Sequence, residues 1–262
     1  MDEKQNTPAK TADGAAGNPP SSTAAAPVHH ATPTRNNNNA ADVKAEIVVP
    51  PPSAADDAAL TAALTLLVNK VYSEAERGIY STEFERTSAE DVAEQLRAGE
   101  VAVAYLPHRS SSDADAAAAA ANNKNNKNNN AQHEEEGEGS AATFLETHGT
   151  PIGCIAMKQA SPTTGEFGML AVDPTHRGGG VGRDLVVFAE EWCRGRLGLQ
   201  AMRLELLAPV HFEHVGKTRL QAWYERLGYV RLELRDFEKA YPRLYELLSG
   251  PTEFRVFEKK FG

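Results

Sequence analysis

Cysteine is scarce in this chain of 262 residues: there are two, Cys154 and Cys193, and neither belongs to a C-x-x-C pair. That excludes a disulfide scaffold and a zinc ribbon. Both read as small buried hydrophobes of a reducing compartment, a disulfide between them being the lesser alternative. Long apolar runs are also missing, none approaching the roughly 20 residues that cross a bilayer. The N-terminus is acidic and polar where a secretory leader would be basic and apolar, and Asp2, Glu3 and Asp13 speak against a mitochondrial leader. The expectation is an intracellular, cytoplasmic protein without a membrane partner. Basic residues are outnumbered, 27 Lys and Arg against 36 Asp and Glu for a net charge of −9, so no general attraction to nucleic acid is expected. Nucleotide fingerprints are absent as well. There is neither a GxxxxGK loop followed by Ser or Thr nor a GxGxxG with an acid about 20 positions on.

Two stretches have little that could pack. Residues 1–45 are mostly Ala, Pro, Thr, Ser, Asn, Gly and charged residues, and 107–141 hold an alanine run, an Asn/Lys tract and the cluster Glu134, Glu135, Glu136 and Glu138. Ordering such segments costs entropy that no buried surface returns, so both are expected to be disordered. Residues 46–262 without the insert leave about 180 residues, one ordinary domain.

Within it, Leu60, Leu64, Leu67, Val68 and Val71 recur at helical spacing, and Thr87-Ser-Ala-Glu90 reads as the capped start of a second helix closed by Gly99. Strands are expected at Ile47–Val49, Val101–Leu106, Ala142–Glu146, Ile152–Met157, Glu166–Val172, Met202–Leu207, Tyr229–Leu234 and Phe254–Glu258. Helices should cover about 180–195 and 217–227, with Gly228 as a left-handed cap. Strands interleaved with helices, some strands following one another directly, predict an α/β fold with a mixed central sheet flanked by helices.

The most informative segment runs from Leu170 to Leu185: an apolar strand, a turn marked by Pro174, a glycine-dense loop headed by Arg177, then an amphipathic helix. Such a loop gathers backbone N–H groups at the positive end of a helix and is suited to hold an anion. Arg177, Gly180 and Gly182 stand in the spacing RxxGxG, and a second segment, Ala222-Trp-Tyr-Glu-Arg-Leu-Gly-Tyr229, follows toward the C-terminus. In these motifs the chain resembles the GCN5-related N-acetyltransferases (GNAT), from about residue 60 to the end with one interruption. The resemblance implies acetyl-coenzyme A as co-substrate, its pyrophosphate received by Arg177, Gly178, Gly179, Gly180, Val181, Gly182 and Arg183. It also implies that the backbone of Leu170, Ala171 and Val172 pairs with the pantetheine arm like an added strand.

Acyl transfer to an amine needs a proton acceptor and a donor for the departing thiolate. Tyr224 occupies the family's tyrosine position and is the candidate acid. Glu166, six positions before Val172, is the candidate base. Strict alternation would put it on one face with Gly168, Leu170 and Val172. Glu205 on the next strand is the alternative, or a contact for the substrate ammonium. Where the family often has an asparagine seven residues before the tyrosine, this chain has Lys217, which could reach a phosphate as a point charge. His211 and His214, in a loop before the last main helix, are expected to contact substrate. No third ligand accompanies them, so no metal is expected. The acceptor is expected to be a primary amine of a small molecule or peptide, the net charge favouring a cationic one. A larger acyl donor, or a non-catalytic acyl-coenzyme A-binding or interaction protein on the same scaffold, remains the alternative.

Overall fold

A computed structural model describes residues 44–106 and 144–262. Nearly all of the expected N-terminal extension and the whole of the insert lie outside the described residues. Seven strands form one sheet: β1 (Glu46–Val48), β2 (Val101–Tyr105), β3 (Pro151–Gln159), β4 (Thr164–Val172), β5 (Ala201–Pro209), β6 (Val230–Arg235) and β7 (Thr252–Lys260), in the order β1-β2-β3-β4-β5-β7-β6. Every neighbouring pair is antiparallel except β4 with β5. The expected mixed sheet is therefore present.

One face is covered by helices α1 (Ala58–Ala75) and α2 (Ala89–Arg97), the other by α4 (Val181–Leu197) and α5 (Val215–Arg226). Strand β2 shows how the sequence serves both faces. All five of its residues are buried, with Val101, Val103 and Tyr105 packed toward α1 and α2 and the smaller Ala102 and Ala104 toward α4. A strand covered on both sides reads as a continuous apolar run, with residue size alternating where hydropathy cannot. Helix α1 starts at Asp57, whose carboxylate accepts from the N–H groups of Ala59 and Leu60. Helix α2 begins one residue later than its sequence suggests: Ser88 and Asp91, not Thr87 and Glu90, form the reciprocal capping box. Thr87 is engaged elsewhere, its N–H donating to Asn69 on α1 while the Asn69 amide donates back to its carbonyl.

One expected strand is corrected: of the segment read as Ala142–Glu146, the described residues 144–146 belong to the short helix α3 (Phe144–His148), in which the Phe144 and His148 rings stack at 4.3 Å and both lean on Tyr105. This contact with Tyr105 at the end of β2 outweighs the local strand preference of so short a segment. The two cysteines are buried and unpaired.

Candidate active site

The glycine turn is built from its anchoring residues outward. Asp173 accepts from the N–H and hydroxyl of Thr175 and from the Lys70 ammonium on α1 (3.0 Å), and these bonds hold its carboxyl far below the usual range. Pro174–His176 then form a single 3₁₀ turn. Gly178 and Gly180 adopt left-handed backbone angles, φ 84° and 93°, which a side chain would strain. The first backbone bond of α4 runs from Asp184 N–H to the Gly180 carbonyl, and no side chain caps the helix. The N–H groups of Val181, Gly182 and Arg183 thus project past its end without an acceptor among the described residues, the arrangement an anion fills. Arg177 stands beside the turn, 3.6 Å from Glu74. Gly182 does not line open space as its neighbours do. A Cβ there would meet Val172 and Trp223 at ordinary contact distance, 3.6 and 3.9 Å.

The turn lies at the end of a parted pair of strands. β4 and β5 hydrogen-bond only from Thr164–Phe167 to Ala201–Leu204. Beyond that, β4 stays with β3 and β5 stays with β7, leaving the β4 edge at Leu170, Ala171 and Val172 unpaired on this side. A bulge accompanies the parting: one residue of β3, Ile155, faces Met169 and Leu170 of β4, and Met169 has φ 49°. The bulge corrects the expected alternation. Phe167, Leu170 and Val172 pack toward α4 and α5, Met169 and Ala171 toward α1 and α2. Glu166 is therefore not on the face of Leu170 and Val172, because the extra residue inverts the strand between them.

A cleft of about 440 Å³ opens at the parting, and Glu166, Leu170, Glu205, Lys217 and Tyr224 all line it. Glu166 and Glu205 share one guanidinium: Arg235 Nη1 lies 2.6 Å from Glu205 and 3.8 Å from Glu166, while Lys158 approaches Glu166 to 3.5 Å. The Tyr241 hydroxyl donates to Glu205 at 3.3 Å. Burial, and then the neighbouring Glu166 charge, push the Glu205 carboxyl up despite these partners. Tyr224 is buried against Phe167 and Trp223, and burial holds its phenol far above the ordinary value.

Lys217 and the two histidines depart from expectation. Lys217 is buried and donates to Glu76 at the end of α1, 3.0 Å away, so its charge is engaged inside the cleft and not at the glycine turn. Glu76 keeps its second oxygen, Oε2, buried without a partner. His214 caps α5, its Nδ1 accepting from Lys217 N–H. His211 bonds the Pro251 carbonyl. Neither lines the cleft. What sequence reasoning missed is the segment joining α1 to α2, which brings Glu76, Tyr80 and Arg86 into the lining. Its signal was present: aromatic and charged residues crowd the connection between an apolar helix and a capping box. Among the described residues no cluster of His, Cys, Asp and Glu is suited to a metal, and no helix is long and apolar enough to cross a membrane.

Comparison with curated protein sequences returns no match. Solved structures with similar backbones include N-acetylglutamate synthase from Neisseria gonorrhoeae, complexed with coenzyme A and N-acetyl-glutamate (15% identity, TM-score 0.46, 84% of this chain). This chain spans only 35% of that protein. The PaiA N-acetyltransferase from Thermoplasma acidophilum, with coenzyme A, aligns over 83% of this chain and 99% of its own (16% identity, TM-score 0.47). YncA from Salmonella typhimurium, with acetyl-CoA, aligns over 84% and 95% (14% identity, TM-score 0.46). Residues 139–231, which hold the glycine turn, the bulged strand and Tyr224, match the family model of the acetyltransferase (GNAT) domain.

Proposed function

We propose that the chain is an acetyl-coenzyme A-dependent N-acetyltransferase of the cell interior, with residues 46–262 as its catalytic domain interrupted by the insert 107–141. The observation that carries this reading is the parted β4–β5 pair, with unaccepted helix N–H groups at the turn that follows β4 and Tyr224 in the wall of the cleft. The residues present fit the coenzyme. The glycine turn offers N–H donors for a pyrophosphate, Arg177 and Arg183 add charge, and the free β4 edge at Leu170–Val172 can bond the amides of the pantetheine arm.

The acceptor amine attacks the thioester carbonyl carbon, a C–N bond forms and the C–S bond breaks. The amine's proton passes to Glu166, directly or through water, and the thiolate takes its proton from the Tyr224 hydroxyl. Glu205, with its raised affinity for a proton, is the alternative acceptor. Arg235 limits the repulsion between the two carboxylates, so they can stay side by side.

The test is release of free coenzyme A across a panel of amines and peptides, followed by single-turnover rates over pH for two variants. Tyr224→Phe should slow the chemical step by about 10² to 10⁴-fold with little change in coenzyme affinity. Glu166→Gln should flatten the acid limb of the profile. Coenzyme binding without turnover on any acceptor would favour the non-catalytic binding protein. An unchanged acid limb would move the base to Glu205 or to water.

A further inference from the structure

Three cations line the cleft, and two of them are satisfied. Lys158 pairs with Glu166 and Lys217 with Glu76. The third, Arg86, has no carboxylate in ion-pair contact and no side-chain hydrogen bond among the described residues, and the Glu76 charge acts on it only from beyond contact distance. Its guanidinium lies over the Tyr72 ring, 5.1 Å from the centroid. A cation taken partly out of water without an anion in direct contact loses solvation that a ring face only partly returns. Close to it in the lining, the Tyr80 hydroxyl is buried and also without a partner. The segment carrying both is fixed at each end. Asn69 clamps Thr87, Tyr80 bridges to Leu248, and Ser249 bonds the Gly78 and Ile79 carbonyls. The unfilled donors are thus held in place before any ligand arrives.

We propose that the acceptor is an amino acid-type molecule, an amine that also bears a carboxylate, and that Arg86, assisted by the Tyr80 hydroxyl, binds that carboxylate. A guanidinium offers parallel N–H groups that match the two oxygens of a carboxylate. The opposite requirement is met in the same cleft, whose lining also holds the carboxylates of Glu76, Glu166 and Glu205, negative charge that an ammonium group can offset. This deepens the transferase reading and rests on it. It also replaces the cationic acceptor expected from net charge, because recognition follows the charged groups inside the site and not the sum over the surface.

The experiment compares natural amino acids with their decarboxylated amines, pair by pair, in wild type, Arg86→Gln and Arg86→Lys. Binding is followed by calorimetry with coenzyme A present, and turnover by coenzyme A release from acetyl-coenzyme A. At least one amino acid should bind about ten- to a hundredfold more tightly than its decarboxylated partner. Arg86→Gln should erase that preference, Arg86→Lys should keep part of it, and coenzyme A affinity should be unchanged in both. Equal binding within every pair, no binding by any amino acid, or a preference that survives in Arg86→Gln overturns the proposal. So does an equal loss of coenzyme A affinity, which would make Arg86 a donor-phosphate contact. Failure of the transferase reading looks different: amino acids would bind through Arg86 with no acetyl transfer.

Discussion

Removing one partner of the Lys217–Glu76 pair should be worse than removing both. Each side chain is more than nine-tenths buried, and Glu76 already has one oxygen without a partner. Lys217→Met would leave a carboxylate buried with no cation, a loss of about 3 kcal/mol. The double variant Lys217→Met/Glu76→Leu removes the charges together and should recover most of that loss. Denaturant unfolding of the two singles and the double gives the coupling directly. A coupling below about 0.5 kcal/mol would mean that water in the cleft solvates Glu76 well enough to replace its partner. The same cycle separates architecture from chemistry, because Lys217 stands where many relatives are expected to have an asparagine and here joins α5 to α1 across the cleft.

At the scale of elements, the place of α4 depends on a glycine that carries no motif. A Cβ on Gly153 of β3 would lie 3.0 Å from both the Ala171 carbonyl and the Leu185 side chain. Gly153→Ala must therefore push β4 or α4 outward. It should cost about 1 to 3 kcal/mol, lower Tm by about 2 to 10 °C, and weaken coenzyme binding because the helix N-terminus moves with the helix. Unchanged melting would show that the contact relaxes freely. The elements themselves were legible where local pattern sufficed: Leu60, Leu64, Leu67 and Val71 mark α1, and the RxxGxG spacing marks the turn before α4. The bulge at Met169 was not legible, since a bulge exists only relative to the partner strand β3. Arg86 and Glu76 were missed for a related reason. This part of the cleft wall is assembled from Glu76, Tyr80, Arg86, Glu205, Phe237 and Tyr241, which no sequence window joins. The helix Phe144–His148 was misread because its stacking on Tyr105 is a tertiary contact that a short local segment does not reveal.

For the whole molecule, the insert is the test of how much chain the fold needs. Residue 106 closes β2 and residue 144 opens α3, and these flanks meet: the Tyr105 and Phe144 rings are 5.9 Å apart. A segment whose ends already lie together can be shortened without pulling on the sheet, and closure entropy falls only slowly with length. Deleting residues 110–138 leaves eight residues to span that gap, enough for an ordinary connection. Its composition of Ala, Asn, Lys and Glu offers little apolar surface to bury, so thermal stability and coenzyme affinity should stay within error of the full chain. The acceptor preference set at Arg86 should also be unchanged, because that residue lies on the α1–α2 segment and is held through Asn69 and Ser249. Melting curves and calorimetry on the shortened chain decide the matter. A large drop in Tm would mean that the insert packs on the sheet, whereas intact stability with altered acceptor binding would make it part of the wall of the acceptor site.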